Sequence, residues 1–356
     1  MNSVINSLFK NPNMSMYESI PFRDTGGINS DRFATKLRNI LVDLENKSVL
    51  LARLDGTLQS QDNYTKANCL GLGRTRIFTN YGMHLSNVRT IGGHPIPFLR
   101  GHPPTTKLRS QVFQLAGCNL RCWYCYVDDK LLSARPLNGE YVSASDIVDM
   151  YLNVPNRPIV IDLSGGQPDL VPEWTFWVLE ELDRRGLRGN VLVWQDDNLS
   201  TELVWDVLTV SQIEFMASFD GHSRVGCFKG FDPVSFAYNT SATIDLFDRQ
   251  FIVFERLLKS GFDLYAYATF TSPPDHCTKD HIKCFMDRLQ AIHPLLPLRT
   301  IPLRVRKFNA TTDRMNEKHE RAFDEQHRAG YYWDSLLSER FTREELECPY
   351  EKIKIR

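Results

Sequence analysis

The feature that most constrains this chain is a group of three cysteines, Cys118, Cys122 and Cys125, in the spacing C-x3-C-x2-C. The preceding run 111–116 is short and mostly apolar, which predicts a strand, and Gly117 ends it directly before the first thiol. Three thiolates on one tight loop can each bind one iron of a [4Fe–4S] cubane, a cluster that normally takes four cysteines. One iron is then left with an open coordination position, and an open position on a metal is where chemistry takes place.

Two other interpretations of these cysteines stay open. Cys122 and Cys125 form a C-x-x-C pair, which is typical of redox-active thiols, and three cysteines are also typical ligands of a structural zinc ion. Neither interpretation explains the additional cysteine four residues upstream together with the glycine motif that follows at residues 164–168.

Charge and composition argue against several classes of protein. The chain of 356 residues carries 42 Lys and Arg against 43 Asp and Glu, so a nucleic acid or an anionic membrane is not favoured as partner. No apolar run approaches the roughly 20 residues of a membrane span, and the polar, Asn-rich segment 1–16 lacks the order of a signal peptide. Eight cysteines are too few for a disulfide scaffold in so long a chain. We therefore expect a soluble cytoplasmic protein.

Beyond residue 106, runs that predict strands alternate with runs that predict helices, which is typical of parallel βα units in an α/β fold. The predicted strands are 111–116, 158–163, 190–194, 213–219, 263–270 and 299–305. The predicted helices between them are 144–152, 173–185, 201–209, 247–260 and 278–291. We expect residues 1–105 to form an N-terminal extension with some β structure, residues 106–310 the main α/β unit, and residues 311–356 a charged helical tail.

Polar residues and glycines follow several of the predicted strands. In parallel barrels the reactive groups gather at the carboxyl ends of the strands, so these residues are candidates for a ligand-binding site. The candidates are Ser164, Gly165, Gly166 and Gln167 after the second strand, Asn198 after the third, Ser218 and Asp220 at the end of the fourth, and Arg304 in the last. Each has an ordinary structural alternative: a tight turn for the glycines, a helix or turn cap for the Asn and Asp residues, and a solvated rim for the arginine.

The cysteine segment resembles the cluster loop of the radical S-adenosylmethionine (radical SAM) enzymes, whose signature is C-x3-C-x-aromatic-C after the first strand of the barrel. Tyr124 fills the aromatic place. The resemblance implies a partial (β/α)6 barrel with an N-terminal extension and a helical C-terminal tail, in which Cys118, Cys122 and Cys125 hold a [4Fe–4S] cluster. The open iron would chelate the amino and carboxylate groups of S-adenosylmethionine. One electron from the cluster would then split the sulfonium to methionine and a 5′-deoxyadenosyl radical.

Other segments are similar to further binding motifs of that family. Residues 165–168, Gly-Gly-Gln-Pro, resemble the Gly-Gly-Glu-Pro motif that binds the amino group of S-adenosylmethionine, although Gln167 replaces the acid and is a weaker acceptor for an ammonium. Residues 218–221 are similar to a Ser-x-Asp-Gly version of the fourth strand, which implies that Ser218 and Asp220 bind the ribose hydroxyls. The remaining implied cofactor contacts are Tyr124 beside the adenine, Ser164, Asn198, and Arg304 toward a carboxylate of cofactor or substrate.

The implied reaction needs a one-electron donor, such as a reduced flavodoxin or ferredoxin, and a substrate that is a peptide or a small metabolite. An enzyme that activates a glycyl-radical partner is a second interpretation, and a non-catalytic iron–sulfur or zinc-binding module is a third. A second cluster is not favoured, because the remaining cysteines lack close pairs with glycine between them. These cysteines are Cys69, Cys227, Cys277, Cys284 and Cys348.

Overall fold

A computed structural model of the chain describes residues 30–62, 66–79, 83–85, 89–91, 107–348 and 350–356. The strands in these ranges are β1 (Val42–Asp43), β2 (Ser48–Ala52), β3 (Lys66–Asn68), β4 (Gly73–Thr79), β5 (Met83–Leu85), β6 (Arg89–Ile91), β7 (Lys107–Phe113), β8 (Gly139–Ser143), β9 (Val160–Leu163), β10 (Leu192–Asp197), β11 (His222–Phe228), β12 (Leu264–Thr269) and β13 (Thr300–Leu303). The helices are α1 (Ser30–Leu41), α2 (Ala144–Leu152), α3 (Pro172–Arg184), α4 (Leu203–Val207), α5 (Val210–Ala217), α6 (Pro233–Thr240), α7 (Leu246–Lys259), α8 (Lys279–Ile292), α9 (Glu317–Arg340) and α10 (Arg343–Glu347).

The fold is mixed α/β and is built on a parallel sheet. The strand order of the main sheet is β13-β12-β11-β10-β9-β7-β4-β3. From β7 to β13 the neighbours are parallel and follow the order of the chain, whereas β4 and β3 continue the sheet antiparallel beyond β7. The predicted N-terminal extension and the predicted main α/β unit therefore share one sheet.

Side chains alternate between the two faces of this sheet, as the period of two in a strand requires. On one face, residues such as Ile161, Leu163 and Phe228 belong to the large apolar core that also contains the buried faces of the helices. The opposite face carries a smaller apolar group, with Trp194 and Tyr265 among its members. Toward the carboxyl ends of the strands, this second face carries polar and charged side chains. We call this part of the second face the polar face and define it by Arg76, Asp162, Asp196, Lys229 and Tyr267.

The predicted fourth strand, 213–219, is wrong. Residues 213–217 belong to α5, whose start is fixed by reciprocal hydrogen bonds: the Gln212 backbone N–H donates to Oγ1 of Thr209 (3.3 Å), and Thr209 N–H donates to Oε1 of Gln212 (2.8 Å). This capping box satisfies backbone donors that a helix would otherwise leave unpaired. The true strand, β11, begins at His222, and it was missed because its buried Arg224 interrupts the apolar pattern.

The other predicted strands of the parallel sheet lie within a few residues of their expected positions; the first runs Lys107–Phe113 where the sequence predicts 111–116. Helices α9 and α10 lie in the range 311–356, for which the sequence predicts a charged helical tail. Within the described ranges, no helix has the length and apolar character needed to cross a membrane.

Helix α9 covers the carboxyl end of the last parallel strand. The backbone N–H of Val305 donates to Oε1 of Gln326 (2.6 Å), and the Gln326 amide donates to the oxygen of Val305 (3.3 Å). The β5–β6 hairpin lies beside β13 and α9, so segments from both ends of the chain meet at this edge of the sheet.

Candidate cluster and nucleotide site

The three cysteines lie on a loop that leaves the carboxyl end of β7 and folds back on itself. The N–H of Cys118 donates to the oxygen of Leu132 (3.1 Å), and the N–H of Cys125 donates to the oxygen of Cys122 (3.0 Å). The N–H of Leu120 donates to Sγ of Cys118 (3.5 Å), a contact that suits a thiolate. All three thiols are free and half-buried, so each is available as a metal ligand once deprotonated.

Two arginines fix the backbone of this loop. Arg121 donates to the carbonyl oxygens of Cys118, Leu120 (2.8 Å) and Leu132 (3.2 Å), so it ties the first half of the loop to its return segment. Arg314, from the segment before α9, donates to the oxygens of Cys125 (2.8 Å) and Val127 and pairs with Asp129 (3.0 Å). The loop geometry therefore depends on residues far apart in the chain.

Replacing Arg314 by Ala should lower the free energy of unfolding by about 2–3 kcal/mol, because hydrogen bonds from a charged, largely buried donor are lost. Urea unfolding monitored by circular dichroism measures this change. Arg321→Ala is the matched control, since Arg321 and Asp275 form an exposed pair, and we expect about 0.5 kcal/mol or less. Equal effects of the two substitutions would show that Arg314 does not hold the loop.

Burial makes the thiols of Cys118 and Cys122 poor acids unless a cation is present. It raises the pKa of Cys118, and it raises the pKa of Cys122 to about 12, while the positive charge of Lys229 opposes both shifts. The charge of Cys125 adds to the rise in the pKa of Cys118 and of Cys122, and the charge of Cys118 adds to that of Cys122. A bound metal cluster would replace the thiol protons with positive charge, so the donor set fits such a cluster.

The glycine motif packs directly against the cysteine loop. Gly165 and Gly166 have φ values of +88° and +69°, which favour glycine, and a Cβ on Gly166 would lie 2.3 Å from the oxygen of Leu115 and 2.6 Å from that of Gly117. The N–H of Gln167 donates to the same Gly117 oxygen (2.7 Å). The structure therefore brings the two motifs together: the close approach explains why position 166 needs glycine, and the positive φ favours glycine at both positions.

The side chain of Gln167 is buried and committed to the end of β10. Its amide N–H donates to Oδ1 of Asp197 (2.8 Å), and its Oε1 accepts the backbone N–H of Asn198 (2.9 Å). A glutamate here would place two carboxylates in contact. The departure from the Gly-Gly-Glu-Pro pattern thus has a local cause, which is the acid on the neighbouring strand.

Asn198 contacts the first cysteine of the loop. Its Nδ2 lies 3.7 Å from Sγ of Cys118 and donates to Oδ1 of Asn119 (3.2 Å). Tyr124 is buried, and its hydroxyl lies 3.2 Å from Oγ1 of Thr269 at the carboxyl end of β12. Ser164 lies on the polar face, where its Oγ accepts a hydrogen bond from Arg76 (3.4 Å).

A buried ion-pair network supports the glycine motif from the helix-covered face. Arg224 pairs with Asp169 and lies 3.4 Å from Oδ2 of Asp197, and the exposed fraction of all three side chains is 2% or less. Gln195 also donates to Oδ1 of Asp169 (2.6 Å). Burial raises the pKa of Asp169, and the charge of Arg224 opposes that rise.

The placement of Ser218 and Asp220 is corrected by the structure. Both are exposed, and they precede β11, so they lie at the amino edge of the sheet, opposite the cysteine loop. Arg188 donates to the oxygen of Ser218 (2.9 Å), and Gly189 N–H donates to that of Asp220 (3.0 Å). They do not join the other candidates, because the strand that would have carried them is helix α5. Arg304 follows β13 at the correct edge and is exposed.

Sequence reasoning missed Lys229, which follows β11 directly and is half-buried. Burial raises the pKa of Cys122 and of Tyr124, and the positive charge of Lys229 opposes both rises. The start of β11 lies nine residues beyond the predicted start of that strand, at 222 where the sequence predicts 213. The Thr-x-x-Gln pattern of the Thr209–Gln212 capping box indicates a helix start at this point. With a helix there, the predicted strand shifts to the run that ends just before Lys229, which makes Lys229 a candidate site residue.

Sequence reasoning also missed the ionic group on the polar face. Arg76 of β4 lies 3.1 Å from Oδ2 of Asp162 and 3.9 Å from Oδ2 of Asp196. Burial and the negative charge of Asp162 raise the pKa of Asp196 to about 6. Arg76 comes from the N-terminal extension, so no motif in the main α/β unit indicates it.

Comparison with protein-family models and with curated protein sequences gives no match. Solved structures with local similarity include SuiB of Streptococcus suis bound to S-adenosylmethionine, with 12% sequence identity, a TM-score of 0.43, and coverage of 64% of this chain and 47% of SuiB. The complex of SuiB with the precursor peptide SuiA matches with 14% identity and a TM-score of 0.37, covering 51% of this chain and 36% of SuiB. The structure of anSMEcpe with AdoMet and the Cp18Cys peptide matches with 13% identity and a TM-score of 0.36, over 53% of this chain and 48% of anSMEcpe. The chain spans less than half the length of each of these solved chains.

Proposed function

We propose that this chain is a radical SAM enzyme whose parallel sheet forms a partial (β/α)6 barrel. The observation that carries the proposal is the contact between two loops: the glycine loop approaches the loop of the three free, half-buried cysteines so closely that a Cβ on Gly166 would lie 2.3 Å from the oxygen of Leu115 and 2.6 Å from that of Gly117. The positive charge of Lys229 also opposes the rise that burial causes in the pKa of Cys122. A C-x-x-C redox pair or a zinc site would need neither the glycine loop nor the cation.

Each part of the cofactor has candidate residues. Cys118, Cys122 and Cys125 would hold a [4Fe–4S] cluster, and the backbone of Gly165 and Gly166 would receive the amino group of S-adenosylmethionine. Asn198, which contacts Cys118, would touch the cofactor beside the cluster, and Ser164 and Tyr124 would contact the rest of it. When bound, the cluster supplies the electron that splits the sulfonium to methionine and a 5′-deoxyadenosyl radical, which abstracts hydrogen from the substrate. A flavodoxin or ferredoxin would supply that electron.

Apart from Lys229, the side chains that define the polar face would bind the substrate, which we propose is a peptide or a small metabolite. Arg76, Asp162 and Asp196 offer one positive and two acidic groups near the carboxyl ends of the strands. Such groups would orient a polar substrate for reaction. The buried side chains of Tyr124 and Trp123 would limit the access of water to the reacting centre.

The metal content of the purified chain tests the first step of the proposal. After anaerobic reconstitution with iron and sulfide, we expect about four iron atoms per chain, and each of Cys118→Ala, Cys122→Ala and Cys125→Ala should lose most of this iron. Cys284→Ala is the control, because Cys284 lies on α8 outside the loop and should not affect iron content. Stoichiometric zinc with no uptake of iron would contradict the proposal.

Lys229 is our candidate for the cation that holds the carboxylate of S-adenosylmethionine. Lys229→Met should weaken binding of S-adenosylmethionine about 10- to 100-fold, because one charge-assisted hydrogen bond is lost, while iron content stays the same. Arg304→Met is the matched comparison and should change the dissociation constant less than about threefold, since Arg304 is exposed. Equilibrium dialysis with labelled cofactor measures both. The reverse ranking would assign the carboxylate to Arg304.

A further inference from the structure

We propose that Asp232, His276 and His281 form a binding site for one divalent transition-metal ion, with zinc as the first candidate. Asp232 caps α6 just after β11, whereas His276 precedes α8 and His281 lies in its first turn. The site therefore joins the connections that leave two neighbouring parallel strands, β11 and β12. It is independent of the proposed function, because none of these residues takes part in that function.

The ligand atoms of the three side chains already face one another. Oδ2 of Asp232 lies 2.6 Å from Nε2 of His276 and 3.9 Å from Nδ1 of His281. The three candidate ligand atoms all lie within 4.8 Å of one another. Ligand atoms on a tetrahedral zinc ion are about 3.3–3.6 Å apart, so shifts of about an ångström would place all three on one ion.

The charge and burial of the group suit a dication. Asp232 is buried, and the side chains of His276 and His281 are 13% and 17% exposed, so an ion would be enclosed yet reachable from solvent. One carboxylate with two neutral imidazoles is a ligand set typical of zinc and related metals. At His276, the metal ion would take the place of the proton that the imidazole now donates to Asp232. At His281, metal binding through Nδ1 would break the hydrogen bond of that atom with the oxygen of His276 (3.1 Å).

The surroundings hold the ligands in place. Oδ1 of Asp232 accepts the backbone N–H of Ser235 (2.7 Å), which leaves Oδ2 directed at the histidines. The two imidazole rings stack with their centroids 4.8 Å apart, and the ring of Phe231 stacks on both. Hydrogen bonds and packing of this kind orient metal ligands before the ion arrives.

The test uses the full-length chain with Cys118, Cys122 and Cys125 each replaced by Ala, so that the cysteine loop does not compete for metal. Zinc affinity is measured by competition with a chromophoric chelator, and the visible spectrum of bound Co²⁺ reports the types of ligand. We expect one equivalent of metal per chain and a cobalt spectrum without thiolate charge transfer. His281→Ala in this background should weaken zinc affinity at least tenfold, because it removes one ligand and leaves the Asp232–His276 pair intact.

His327→Ala, at an exposed position of α9, is the matched control and should leave zinc affinity unchanged. Should His281→Ala fail to fold by circular dichroism, His281→Gln gives the same comparison. The proposal is overturned if the parent protein shows no saturable binding of zinc, if the cobalt spectrum reports thiolate ligands, or if loss of the His281 imidazole weakens affinity less than tenfold. Asp232 and His276 would then form a hydrogen-bonded pair only.

Discussion

Replacing Arg224 by Met should lower the free energy of unfolding by about 3–5 kcal/mol at pH 8, the largest effect we expect from a single substitution in the network that supports the glycine motif. Arg224 is fully buried between Asp169 and Asp197, and its removal leaves two buried carboxylates without a cation. Denaturant unfolding followed by circular dichroism measures the loss. Arg343→Met is the control, because Arg343 is 91% exposed in a surface pair with Glu347, and about 0.5 kcal/mol is expected there.

The difference in unfolding free energy between the wild-type chain and the Arg224→Met variant should become smaller as the pH falls from 8 to 5. Burial and the charge of Asp197 both raise the pKa of Asp169, and Arg224 is the group that opposes them. Without Arg224 the folded chain therefore binds a proton more tightly than the unfolded chain, and lowering the pH stabilises the folded state of the variant. A deficit that is independent of pH would show that the cost comes from lost packing and not from unpaired charge.

Replacing Gln167 by Glu should cost about 3 kcal/mol of unfolding free energy at pH 8, although it restores the acid of the Gly-Gly-Glu-Pro pattern. The new carboxylate would take the place of the amide that donates to Asp197 at 2.8 Å, in a buried position. Two carboxylates at that distance cannot both stay ionised without a large penalty. On the family resemblance alone, the same substitution would be expected to strengthen binding of the amino group of S-adenosylmethionine.

A double-mutant cycle separates these two expectations. Asp197→Asn in the Gln167→Glu background exchanges the acid and the amide, so a hydrogen bond between the two positions forms again. We expect the double variant to be more stable than the sum of the single changes predicts, with a coupling energy of at least about 1 kcal/mol. Strictly additive effects would mean that Gln167 and Asp197 do not form the pair on which our account of the motif depends.

The cysteine loop and the glycine motif could be predicted from the sequence because each is encoded locally. Gly165, Gly166 and the three cysteines occur at fixed short spacings, and the alternation of strands and helices fixes the edge of the sheet at which they meet. Asn198 followed in the same way, since it directly follows a strand that the sequence predicts nearly correctly.

The residues that the sequence did not indicate depend on contacts between distant segments. The strand β11 buries Arg224 against Asp169, which follows β9, and Asp197, which ends β10, so its apolar pattern is broken for a reason that only the folded chain reveals. Because the sequence predicts this strand too early, it places Ser218 and Asp220 at the carboxyl edge of the sheet, although they precede β11. For the same reason it does not indicate Lys229, which follows β11. Arg76 reaches the polar face through antiparallel pairing of β4 with β7, which no local pattern specifies.

The most direct test of the central claim is the formation of 5′-deoxyadenosine by the reconstituted chain under oxygen-free conditions, with dithionite as reductant and S-adenosylmethionine as the only cofactor. We predict multiple equivalents of 5′-deoxyadenosine and methionine per chain from the wild-type protein, none above background from Cys122→Ala, and wild-type amounts from Cys284→Ala. A wild-type protein that carries the full complement of iron and binds S-adenosylmethionine, yet yields no 5′-deoxyadenosine, would contradict the account.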